Sequence, residues 1–143
     1  MGASVIAYWP GITAEQIEEQ PGFYNDCKAW GDWMAERERE SDVIQILRDL
    51  GAGSLLTFTT DGLDDNDVEW VTPQELQAAA QRLRRAVEEG TPGIERILEV
   101  YERNANRIDP VPEEFAQDLL DIAELAKWAE IQGAYRMTLE VNW

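Results

Sequence analysis

The stretch "YRMTLEVNW", residues 135–143, decides the fold. Tyr135, Met137, Leu139, Val141 and Trp143 alternate with Arg136, Thr138, Glu140 and Asn142. A strict period of two predicts a strand with one buried face and one wet face. Such a strand is expected to pair with strands earlier in the chain.

Three earlier segments read as strands. "SVIAYW", residues 4–9, is β-branched and aromatic and is punctuated by Pro10-Gly11. "SLLTFTT", residues 54–60, and "DVEWV", residues 67–71, read as a second and third strand, with Leu56 and Phe58 on one side and Val68 and Trp70 behaving similarly. The polar stretch between them suggests an antiparallel hairpin with a long loop.

Helical signals fill the rest. Thr13 and Gln16 form a capping-box pattern ahead of a short helix stopped by Pro21-Gly22. From about residue 24 to 39, Cys27, Trp30, Met34 and Arg37 recur at three- and four-residue spacing beside Trp33, an amphipathic pattern. "SDVIQILRDLGAG" offers Ser41 or Asp42 as cap and Gly51 as left-handed stop. Thr72, Pro73 and Glu75 together mark the start of a helix that runs to Gly90. Thr91-Pro92 repeats that device ahead of Ile94, Ile97, Leu98 and Tyr101. The longest helix runs from near Pro112 to near Gly133, with a stripe of Phe115, Leu119, Ile122, Ala126 and Ala129 widened by Leu120, Leu125, Trp128 and Ile131. The expected product is a single α+β domain spanning 1–143, with a small antiparallel or mixed sheet of three to five strands packed against four to six helices.

Composition narrows the chemistry. The 143 residues include 29 acidic and 12 basic ones, a net charge of −17, and 44% are apolar, enough for one core and too many for disorder. Polyanions are bound through Lys and Arg, so neither nucleic acid nor an anionic membrane is an expected partner, and "RLRR", residues 82–85, reads as a helix surface. The N-terminus carries no signal-peptide pattern and no stretch has the length of a membrane span, so the expected compartment is the cytoplasm. A lone cysteine, Cys27, has no internal disulfide partner and reads as a small buried hydrophobe.

The chain has no histidine. That removes Ser-His-Asp and Cys-His nucleophile activation and the histidine-based zinc and iron sites, leaving no catalytic residue to nominate. "GAG", residues 51–53, lacks the context of a phosphate loop. Glu114, Asp118 and Asp121 lie one turn apart and read as a solvated ridge.

The densest acidic segment is "TTDGLDDNDVEWV", residues 59–71. A calcium loop of the EF-hand type needs an oxygen donor at its third position and glycine at its sixth. Counting from Asp61 those positions are Leu63 and Asn66, and counting from Asp65 the sixth is Trp70, so neither register fits and no metal or other cofactor is expected.

What remains is recognition. Asp61, Asp64, Asp65, Asp67 and Glu69, with Trp70 and Trp33 as aromatic anchors, form the expected contact set for a protein partner, most naturally a basic one. Proteins that neutralise a nuclease toxin combine such an acidic surface with a small α+β fold. In general character the chain resembles small bacterial proteins, some of them immunity-like, although no motif carries a residue across. Two alternatives stand beside this reading: a structural or regulatory homodimer joined through the terminal strand, and an enzyme using carboxylates or a divalent metal.

Overall fold

The terminal alternation does form a strand, and it is the middle one of its sheet. A computed structural model describes residues 4–22, 41–60, 68–103 and 110–142. In chain order its elements are β1 (Ser4–Tyr8), α1 (Ala14–Glu18), α2 (Ser41–Asp49), a one-turn 3-10 helix (Gly53–Leu56), β2 (Thr59–Thr60), α3 (Pro73–Glu89), α4 (Ile94–Glu102), α5 (Val111–Ile131) and β3 (Thr138–Asn142). The result is one small, mostly helical α+β domain.

Antiparallel pairing of β1 with β3 sets Val5 against Val141 and Ala7 against Leu139 on the core face, and Ile6 against Glu140 and Tyr8 against Thr138 on the other. The expectation of three to five strands reduces to this five-residue pair. Two residues of β2 add to it in parallel, Thr59 beside Glu140 and Thr60 beside Val141, and Val71 adds a single antiparallel bridge to Met137.

The expected hairpin between residues 54–60 and 67–71 is not formed among the described residues. Leu55 is buried, and a 3-10 turn puts it there: Leu55 N–H donates to the Ala52 carbonyl and Thr57 N–H to the Ser54 carbonyl. Side-chain hydroxyls then do what a ladder would have done. Thr57 Oγ1 donates to the Glu69 carbonyl at 2.6 Å and lies 2.7 Å from Thr138 Oγ1. A hydroxyl carries one proton, so Thr138 is the donor in the second bond. Outside the ladder on β1, the Gln20 carboxamide accepts from Ala7 N–H at 2.8 Å and donates to its carbonyl at 2.9 Å, as a neighbouring strand would.

α3 begins and ends where its sequence says. Glu75 N–H donates to Thr72 Oγ1 and Thr72 N–H to Glu75 Oε2, each at 3.1 Å, with Pro73 in the first turn. Gly90 closes it at φ 63°, a conformation that penalises any residue with a Cβ. Replacing Thr72 with alanine removes one arm of the box and is expected to lower stability by about 1 kcal/mol. A thermal melt would show it as a fall of about 2–4 °C, and a Thr72→Ser variant should recover most of the loss.

Thr91-Pro92 does not repeat the device. Thr91 N–H is already engaged with the Ala86 carbonyl at 3.0 Å, completing the end of α3, and Gly93 at φ 97° precedes α4 instead. Ser41, expected as a cap for α2, is already its first helical residue.

The core joins the inner face of the sheet to α2, α3, α4 and α5 in one apolar cluster. α3 and α5 pack along their lengths, with alanines on both buried faces, Ala79 and Ala80 on α3 and Ala126 and Ala129 on α5. Leu120 and Ile131, expected to widen the α5 stripe, are instead exposed at 39% and 72%. Among the described residues no helix is long and apolar enough to cross a membrane.

Candidate protein-binding surface

Of the residues expected to make contact, Glu69 and Trp70 are described; Asp61, Asp64, Asp65, Asp67 and Trp33 lie outside the described residues. The same is true of the helix expected over residues 24–39, with Cys27 and Trp30.

Glu69 and Trp70 sit between two fixed points. The Glu69 carbonyl is held by Thr57, and Val71 exchanges both backbone hydrogen bonds with Met137, at 3.0 and 2.7 Å. The Glu69 side chain is exposed and Trp70 is half-buried. Tyr8 stacks on Trp70 with centroids 6.0 Å apart and planes inclined by 29°, and the Arg136 guanidinium lies over the indole at 4.9 Å. The same guanidinium is 5.8 Å from the ring of Tyr135, which is 77% exposed.

The pairing of the strands explains the grouping. Tyr8 and Thr138 are paired on the sheet face opposite the core, and Arg136 lies in the bend just ahead of the strand, two residues before Thr138. Trp70 reaches the group because Val71 is bridged to Met137, the residue between them. The outcome is a rigid aromatic and cationic platform beside an exposed carboxylate.

Sequence reasoning missed three members of this platform. Tyr135 alternates in phase with Met137, so pattern alone assigned it to the buried face. The described strand begins only at Thr138, and Tyr135 falls in the turn that follows Gly133. Arg136 and Tyr8 carry no local signal, because their partner Trp70 is remote in sequence.

A second cluster corrects the expected acidic ridge. Glu114 and Asp118 are buried, 1% and 0% exposed, and belong to the core side of α5. They continue the spacing of Phe115, Leu119 and Ile122, so the residues that form the ridge share the helix face of the apolar stripe. Tyr101 donates from its hydroxyl to Asp118 Oδ2 at 2.5 Å, and its ring meets Phe115 edge to face with centroids 4.8 Å apart. Asp121 remains partly exposed and accepts from Gln117 Nε2.

Among the described residues no group of three or more Cys, Asp or Glu is placed to hold a metal ion. A polar groove lies between α3 and α5, where Arg84, Arg85 and Gln81 face Leu120 and Glu124. Arg84 there pairs with Glu88 at 3.6 Å, so the groove mixes both charges. No protein-family model, curated protein or solved structure matches the chain.

Proposed function

We propose that this protein is a non-catalytic binding module, of inhibitor or immunity-like type, that recognises a basic protein partner in the cytoplasm. The observation that carries the reading is the platform. A 77% exposed Tyr135 and a half-buried, stacked Trp70 stand beside the exposed Glu69, at the end of the densest acidic segment. Rigid aromatics supply binding energy at small entropic cost, and surrounding charge sets encounter rate and partner sign. A net charge of −17 makes that sign cationic. The homodimer reading draws less support, because β3 already has neighbours on both sides where β2 and Val71 reach it.

The test is capture of partners from native extract at low and moderate salt. The expected result is a cationic protein whose association slows as salt rises. Tyr135→Ala should weaken its binding at least tenfold while leaving the melting temperature unchanged. Replacing Asp61, Asp64, Asp65 and Asp67 together with asparagine should slow association and flatten its salt dependence. Salt-independent binding that both variants leave intact would overturn the proposal.

A further inference from the structure

Among the described residues, Arg136 is the basic side chain with a buried donor nitrogen that has no acceptor. Arg96 pairs with Asp42 at 2.7 Å and with Glu99 at 3.1 Å, Arg84 with Glu88 at 3.6 Å, and Arg103 with Glu99 at 3.9 Å. Arg136 makes no hydrogen bond or ion pair among the described residues, although the chain carries 29 carboxylates. Its Nε is buried without an acceptor.

We propose that Arg136 is a receptor for a carboxylate side chain carried by the protein partner. Burying an N–H donor without an acceptor costs more than a cation over an aromatic ring recovers at such a site. The platform therefore holds Arg136 in place without neutralising it. The ring of Trp70, 4.9 Å away, and the neighbouring bridge at Met137 fix the guanidinium before a ligand arrives. The inference rests on reading this face as a protein-binding surface.

Geometry and charge select the ligand class. With Nε buried, the two terminal nitrogens of the planar guanidinium are the fork that matches a planar carboxylate end-on. A phosphorylated polymer would match it too, but it would meet the repulsion of the whole chain, whereas an acidic side chain on a net cationic protein arrives with attraction around it. The exposed Tyr135 ring, 5.8 Å from the guanidinium, is placed to cover the methylenes of that side chain. Arg136 thus sets the register of a complex whose other charges have the opposite sense.

The experiment follows the Arg136 Nε–Hε and Trp70 indole NMR signals of the full chain at about 0.15 M salt. The probe is the blocked peptide acetyl-Gly-Glu-Glu-Gly-amide, and its glutamine twin is the control. A saturable shift of both signals with the glutamate peptide is expected, at least tenfold weaker with the glutamine peptide. Arg136→Gln should abolish the Trp70 response, and Arg136→Lys should weaken it because the fork is lost. Equal responses to the two peptides, or none, would overturn the assignment. A parallel titration with acetyl-Gly-Lys-Lys-Gly-amide separates this proposal from the one beneath it. If the lysine peptide moves Glu69 and its neighbours while the glutamate peptide moves nothing, only the role of Arg136 falls. If the glutamate peptide acts and the lysine peptide does not, Arg136 stands and the basic partner falls.

Discussion

Leu83→Ala is expected to lower the free energy of unfolding by about 2–5 kcal/mol. Leu83 is fully buried on the face of α3 that also buries Leu76, Ala79, Ala80 and Ala86. Truncation there removes apolar area from the core and leaves a cavity that the neighbours fill only in part. The alanines along α3 and α5 make relaxation harder, because small side chains have no rotamers with which to close a void. Against a total stability of about 5–15 kcal/mol for a domain of ordinary size, the variant should unfold at much lower urea with an unchanged slope. Leu120→Ala is the matched control, since Leu120 is 39% exposed, and its effect should stay within about 0.5 kcal/mol. Equal midpoints for the two variants would mean that the α3–α5 face is not a packed core.

The contrast between those leucines marks how far the sequence could be read. Helix limits were legible wherever a cap is written in adjacent residues, as at Thr72 to Glu75 and at Gly90, because the chemistry of a cap is local. Thr91-Pro92 has the same letters and a different outcome, since its N–H was already engaged by the preceding turn. Strands were legible only where alternation persisted. Residues 138–142 formed as read, whereas of residues 54–60 the first three lie in a 3-10 turn that buries Leu55 and only Thr59 and Thr60 pair as a strand. Pairing was not legible, because a partner strand is chosen by packing and not by its own composition.

The site divides in the same way. Glu69 and Trp70 are nominated by charge density and aromatic content, both of which a sequence displays. Tyr8, Tyr135 and Arg136 became part of the site through contacts that span most of the chain. The buried pair Glu114 and Asp118 shows the limit most plainly. A carboxylate at helical spacing is ordinarily a surface residue, and only the phase of the apolar stripe around it reveals otherwise.

That buried pair yields the second large effect. Tyr101→Phe keeps the ring that packs edge to face on Phe115 and removes only the hydroxyl that donates to Asp118. Both Tyr101 and Asp118 are 0% exposed, so water cannot replace the lost bond without entering the core. Removing the hydroxyl takes one hydrogen-bond donor from a buried carboxyl group, and the expected loss is about 1–3 kcal/mol. A cavity term does not contribute, since phenylalanine preserves the ring volume. The double-mutant cycle with Asp118→Leu isolates the bond: leucine has a similar branched shape and no acceptor, so the coupling should recover most of the single-mutant loss. A Tyr101→Phe variant within about 0.5 kcal/mol of the parent would show that the hydroxyl is solvated in solution and that α4 and α5 are held there by the rings alone. A larger loss that persists in the Asp118→Leu background would place the hydroxyl's role with another neighbour. Coupling near the full loss would instead identify Tyr101 as the donor that lets a carboxyl group sit inside the apolar stripe of α5.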